Sequence, residues 1–383
     1  MTVNIRMPDA QLGDKDLDDE YVTDAWLVDQ YVGNVLFSCG YNGRGQLGLG
    51  DTTGRSRITQ VGSLINWKQI CCGYSSTVAI KTDGTLWGWG YNRNGEIGNS
   101  NTVSYSSPVL AGGGSTWKQV SLGGGFVKAI KTDGTLWEWG YDTGTSSPIL
   151  VGSDNNWRQV SCGQNAKMAI KTDGTLWGWG YNNVGALGLG DTTDRGSPVK
   201  VGTNTTWKQV VCGYGTTPGD PDYTMAITTD GKLYAWGYNA QGQLGLGNIS
   251  NYSSPVQVGT LTNWKRLSDE VGHTSFAIKT DGTLWGWGLN SSGQLGIGNT
   301  VNYSSPVQVG TLTNWKQVSN KGGLTTAVKT DGTLWAWGAG NTGQLGQGNT
   351  ADYSSPVQVG SSTYWKQASS DRISLGAVTY REI

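Results

Sequence analysis

A Trp-Lys or Trp-Arg pair occurs seven times, at Trp67-Lys68, Trp117-Lys118, Trp157-Arg158, Trp207-Lys208, Trp264-Lys265, Trp315-Lys316 and Trp365-Lys366. Each opens a stretch that runs on into a segment like AIKTDGTLWGWG. A period near fifty residues means an array of small supersecondary units, each too small to bury its own apolar face. A unit reads WKQVS, a Gly-containing loop, AIKT, a TDG turn, TLWGWG, a Gly/Asn loop carrying GQLGxGN, and SPVQVG. Short runs of period two, separated by Asp-Gly and Gly/Asn signals, predict four antiparallel strands per unit. No sustained helical period interrupts them.

The two ends determine how the array closes. From Trp365 to Thr379 the chain supplies a first and a second strand, then stops at Ile383. The missing half stands near the start, where VLFSCGYN (35–42) matches TLWGWGYN and residues 58–62 stand in the place of SPVQVG. First and second halves pair only if the array is a ring. The expected fold is therefore an all-β, seven-bladed β-propeller of four-stranded antiparallel blades, its last blade joining N- and C-terminal strands and leaving no long open sheet edge. Sixty-one glycines in 383 residues suit that many tight turns, and the tryptophans of each WxW share a strand face. That face is expected to lie between blades.

The strings CGYSSTVAIKTDGTLWGWGYNRNGEIG (72–98) and GYNAQGQLGLGN (237–248) resemble the repeats of the regulator of chromosome condensation family. The likeness runs over about residues 35–378, and the WKQ…IKTDGTLW variant looks most like bacterial and bacteriophage members. The resemblance implies a seven-bladed propeller. It leaves function open, because members include an exchange factor for a small GTPase, an inhibitor of β-lactamase, and surface or virion proteins. A histidine of the family's pattern is missing here, with Ser76, Phe126 and Ala166 in the equivalent places.

Charge divides the chain into two parts. Residues 1–32 hold eight acidic and two basic side chains, a net of −6, whereas residues 33–383 carry 25 basic and 20 acidic, a net of +5. An acidic arm (1–32) on a mildly basic propeller (33–383) argues against nucleic acid as a partner. In the arm, Thr23 can cap a short helix that Gly33 stops, with Trp26, Leu27, Val28 and Tyr31 as anchoring residues. An isolated helix so short needs a surface to pack on.

Enzymatic chemistry is not expected. The single histidine, His273, reads as a loop residue in a blade, no metal-ligand spacing is present, and no cofactor is implied. The run beginning at Asp14 opens like a calcium loop but has Asp19 where Gly is required and Ala25 where Glu is required. The GxGxxG string at 43–48 is a repeat loop, since GQLG recurs. Five cysteines, three of them (Cys72, Cys162, Cys212) at one repeat position, imply buried small residues and no disulfide framework. Neither a signal peptide nor a membrane-length apolar run is evident. The chain is expected to be made in the host cytoplasm and to leave it only within an assembly.

Departures from the repeat are where function is sought. The loop after Cys212-Gly213 carries an insertion, with Tyr214, Thr217, Pro218, Asp220, Pro221 and Asp222 as a candidate partner-binding loop. The second unit loses the GQLGxGN loop, running from Trp139-Gly140 through 141–144 to Ser147-Pro148. Counting strand reversals puts both changes on one face, with the TDG turns and the arm on the other. The basic residue after each Trp, together with Lys81, Lys131, Lys171, Lys279 and Lys329, either lines a channel or binds an anionic partner, or else pairs with neighbours and turn aspartates. Three readings stand together. The first is a non-enzymatic interaction module of a bacteriophage virion (tail, baseplate or head surface), anchored by the arm. The second is a free protein-binding regulator. The third is a glycan-binding receptor using Tyr105, Tyr252, Tyr303 and Tyr353.

Overall fold

The computed structural model describes residues 33–73, 75–213, 221–269 and 272–381. These form seven four-stranded antiparallel sheets and no helix. Numbered from the first Trp-Lys pair, the first blade runs outward through Trp67–Cys72, Ser76–Lys81, Leu86–Gly90 and Tyr105–Ala111. The seventh closes the ring as expected, in the order Trp365–Ser370, Ser374–Arg381, Gly33–Gly40, Arg55–Gln60. Gly33 faces Arg381 and Gly40 faces Ser374 across that join.

The TDG turn is built by its own side chains. Asp83 Oδ1 accepts from the Thr85 N–H (2.9 Å) and hydroxyl (2.7 Å), and the same Thr85 oxygen accepts from Trp87 Nε1 at 2.9 Å. Gly84 has φ +79°, and a Cβ there would meet the Ser115 carbonyl oxygen at 2.2 Å. The turn therefore requires glycine both for its dihedral and for the approach of the next blade. Lys81 lies over the rings of Trp67 and Trp87, and Lys131, Lys171, Lys279 and Lys329 repeat the arrangement. That repeated lysine set is a cation–π layer on the turn face.

The tryptophans fill the space between blades. Trp67 meets Trp87 and Trp89 edge-on, at 6.2 and 5.9 Å, in a cluster that includes Leu36, Val61 and Val378 of the preceding blade. Trp89 Nε1 then donates to the Gln46 carbonyl of that blade's GQLG loop at 2.8 Å, and Trp139, Trp236, Trp287 and Trp337 make the equivalent bond. In the closing blade Cys39 occupies this position, with its Sγ reaching the Gln344 carbonyl at 3.5 Å. The loop itself is organised by the buried Asn of WGYN: Asn42 accepts from Leu47 N–H and donates to Asp51. The 43–48 segment is thus the repeat loop expected of it, with no helix behind it.

The second blade solves the loss of its loop in a different way. In the first and third to sixth blades the middle of the second strand is apolar or small and faces Gly or Ala, as in Val78 opposite Gly88 and Met168 opposite Gly178. A Cβ at Gly88 would lie 2.9 Å from Ile97 of the loop. Without the loop that space is open, and the pair becomes Lys128 opposite Glu138. Lys128 Nζ, fully buried, contacts Glu138 (2.8 Å) and Asp142 (2.7 Å), while Lys167 of the third blade joins Asp142 at 3.1 Å. The sequence analysis passed over this cluster. Its signal was WEW in place of WGW, in the unit with the deletion.

All five cysteines are buried and none forms a disulfide. Burial pushes the Cys39 thiol up to about 12 and Cys162 to about 11, and raises Cys212 as well, the Asp222 carboxylate adding to burial there. These three are expected to resist a thiol reagent near pH 8 in the folded protein and to react only after denaturation, since the thiolate is the attacking form. Counting modified residues by mass spectrometry checks this. Among the described residues no helix is long and apolar enough to cross a membrane.

Candidate functional site

The seven WKQ strands are innermost and enclose an axial channel with a cavity of about 420 Å³. Its wall is stitched by the Gln of WKQ. Gln119 Nε2 donates to the Val160 carbonyl at 2.8 Å while Val160 N–H donates back to Oε1 at 3.0 Å. Gln69 with Val120, Gln159 with Val210, and Gln317 with Ala368 form the same two-way bond to the next blade. A side-chain amide thus replaces the backbone pairing that separate sheets cannot make. Gln119→Leu would leave the Val160 N–H and C=O without these partners, and is expected to lower stability by about 1–3 kcal/mol, read from the denaturant midpoint.

The fifth blade breaks the pattern with Arg266. Its guanidinium grips both Asp269 oxygens, at 2.7 and 2.9 Å, and the Asp269 charge raises the Arg266 pKa against the effect of burial. Asp269 in turn receives Gln317 Nε2 at 3.0 Å, and its N–H donates to the Val318 carbonyl. Toward the loop face Lys321 Nζ reaches from the sixth blade to the Cys72 carbonyl of the first, at 3.2 Å.

At the opposite mouth the basic residue of each Trp-basic pair sits at the start of its inner strand. Lys68, Lys118, Lys208, Lys265, Lys316 and Lys366 are exposed and Arg158 is half-buried. Of the two sequence readings for these charges, the channel-lining one holds for Lys68, Lys316 and Lys366, which line the cavity. Arg158 and Lys208 contact backbone carbonyls of the next blade, and Lys366 Nζ donates to Asn34 Oδ1 at 2.9 Å.

Tyr214, Thr217, Pro218 and Asp220 of the candidate loop lie outside the described residues, as do Trp26, Leu27, Val28 and Tyr31 of the arm. Pro221 is half-buried. Asp222 is not presented to a partner: it is 4% exposed, and its carboxylate accepts from the N–H groups of Gln164 (2.8 Å), Asn165 (2.7 Å) and Ala166 (2.6 Å) of the third blade. The carboxylate is a staple between blades. Burial raises its pKa to about 6, against the three N–H donors and Lys167, which lower it. Beside it, Tyr141 and Tyr181, equivalent residues of the second and third blades, are 70% and 61% exposed. Sequence reasoning missed them, although both follow a strand-ending Trp-Gly, in WEWG and WGWG. Tyr105, Tyr252, Tyr303 and Tyr353 are half-buried, with hydroxyls accepting from Asn101, Asn248, Asn299 and Asn349. Packing at the rim occupies them. No group of three or more His, Cys, Asp or Glu among the described residues is placed to hold a metal ion.

The model of the regulator of chromosome condensation (RCC1) repeat matches residues 34–80, 83–130, 173–217, 230–269, 281–328 and 331–370, and a second model of that repeat matches 67–96, 157–186 and 207–243. The chain belongs to the RCC1 repeat family. Among curated proteins this RCC1-repeat propeller is similar to the ultraviolet-B receptor UVR8 of Arabidopsis thaliana, 35% identical over 127 residues, 33% of this chain and 28% of that protein. It is also similar to the human probable E3 ubiquitin-protein ligase HERC3, 36% identical over 98 residues, 25% of this chain and 9% of that protein. The matches therefore span less than a third of either relative. Among solved structures, Prp20p of Saccharomyces cerevisiae has the same fold, with TM-score 0.80 at 19% identity over 92% of each chain.

Proposed function

We propose that this RCC1-repeat propeller is a non-catalytic protein-interaction module of a larger assembly, a bacteriophage virion, held through residues 1–32 and presenting its loop face to a protein partner. The observation that carries the reading is the pair Tyr141 and Tyr181, exposed at equivalent positions of the second and third blades, one in the shortened unit and the other in the unit before the one that carries the insertion. Rigid, amphipathic tyrosines give contact area at low entropic cost and are enriched in protein interfaces. Residues 1–32 join the ring at Gly33, at the turn-face end of the closing blade, so an anchor there leaves the loop face outward.

A second reading, a free regulator, takes its support from the structurally similar Prp20p, which binds Gsp1p and histones. Affinity capture from the native source with the full chain and with Tyr141→Ala/Tyr181→Ala, proteins identified by mass spectrometry, tests both. Phage structural proteins with the full chain, and loss of a further partner with the double variant, support the first reading. A single soluble partner without structural proteins supports the second. Identical recovery by both forms would remove the loop face as the contact. Replacement of the inserted loop should stop at Asp220, because Asp222 belongs to the blade staple.

A further inference from the structure

We propose that the turn-face mouth of the axial channel is a binding site for a carboxylate-rich peptide, and that residues 9–29 of this chain are its ligand. The ring sets a basic residue at the start of each of its seven inner strands, and Lys68, Lys316 and Lys366 line the cavity, so their fields add at this mouth. The crowding is visible in Lys366, whose pKa is lowered by burial and then by the positive charge of Lys316. The repeated turn carboxylates of Asp83, Asp133, Asp173, Asp281 and Asp331 lie one strand connection further out, bonded to the N–H and hydroxyl of their own turn threonines and beside Lys81, Lys131, Lys171, Lys279 and Lys329.

The occupant is set by charge and by reach. Residues 9–29 contain all eight acids of the N-terminal part and one base, Lys15. The chain enters the ring beside this mouth, since Lys366 Nζ donates to Asn34 Oδ1 at 2.9 Å. From Asn34, five residues back to Asp29 span at most about 17 Å. That length lets Asp29, and Asp24 five residues beyond it, come over the mouth without any rearrangement of the propeller. A nucleic acid fits less well: the tryptophans beneath the cations, Trp67, Trp117 and Trp157 among them, are buried and offer no face for base stacking. The inference concerns the chain free of any assembly, and its test needs no assembly.

The test uses the full chain, dilute, as an equal mixture of ¹⁴N- and ¹⁵N-labelled protein, treated with a zero-length carbodiimide cross-linker and mapped by mass spectrometry. Cross-links from acids of residues 9–29 to ring lysines should form within single chains and fall about tenfold between low and roughly 0.5 M salt. In a second arm, full-length Lys68→Gln/Lys118→Gln/Lys265→Gln/Lys316→Gln changes only exposed side chains. Cleavage within residues 9–29 by an acid-specific protease should be about tenfold faster in this variant at low salt, and unchanged in the control Lys200→Gln. Equal cleavage of variant and unmodified chain would overturn the proposal. Cross-links joining light and heavy chains would assign the peptide to a second copy instead. Retention of a short DNA duplex that the variant loses, with cleavage unaltered, would make the ring a nucleic-acid site.

Discussion

Lys128→Met is expected to destabilise the protein by about 3–5 kcal/mol, because it removes the cation that two half-buried carboxylates share. Glu138 would then lose its cation and Asp142 would keep only Lys167. Equilibrium denaturation of the variant measures the loss. Lys128→Met combined with Glu138→Gly removes one uncompensated charge along with its partner, restoring the Gly of the other blades, and is expected to recover about half of it or more. A double-mutant cycle giving no coupling would show that the ion cluster is not what fills the second blade. Because the arrangement exists only where the GQLG loop is missing, returning the loop without reverting Lys128 and Glu138 should destabilise further: the Cβ of residue 138 would enter the space that Ile97 takes in the first blade.

The second large effect falls on Asp222. Asp222→Ala strands three backbone N–H groups of the third blade and is expected to cost on the order of 3 kcal/mol, without altering the turn face. Asp222→Asn should also cost stability, since its amide NH₂ would oppose N–H donors that now find an oxygen. Its pH signature is distinctive. The folded-state pKa, raised to about 6, stands above the ordinary value of 3.8, so the folded form holds a proton more tightly than the unfolded chain. The contribution of this group is therefore fully present below about pH 4 and declines as pH rises through about 6. The turn aspartates act in the opposite sense. Hydrogen bonds from Thr85 lower Asp83, as those from Thr135 and Thr283 lower Asp133 and Asp281, so their contribution is present above pH 4 and lost as pH falls below it. Stability measured from about pH 4 to 7 should decline less steeply in Asp222→Asn than in the unmodified protein. Parallel profiles would mean that Asp222 titrates normally.

Much of the architecture was legible because repetition and closure are properties of the one-dimensional string. Seven Trp-basic pairs, six TDG turns and a split last unit dictate seven sheets and a ring, since period-two strands joined by Asp-Gly turns have one hydrogen-bonding solution and half-units at opposite ends can be satisfied only by each other. The pairing of WxW on one face followed from strand alternation, and the burial of the repeated cysteines from their small size. The separation of the turn face from the loop face was also read correctly, because antiparallel strands reverse at every connection.

What the tertiary structure alone decided are contacts between blades, where residues about fifty apart become neighbours. The Gln of WKQ is visible as a repeat, but its bond to the next blade's backbone depends on the radial spacing of separate sheets. Asp222 looked like the tip of an inserted loop; packing of the third blade against the fourth made it a buried acceptor instead. Lys128 and Glu138 looked like scattered charges until the missing loop opened the space between them. The basic residues of the seven pairs lie along nearly the whole chain in sequence, and only closure of the ring gathers them at one opening, because a cyclic array brings equivalent positions to a common axis.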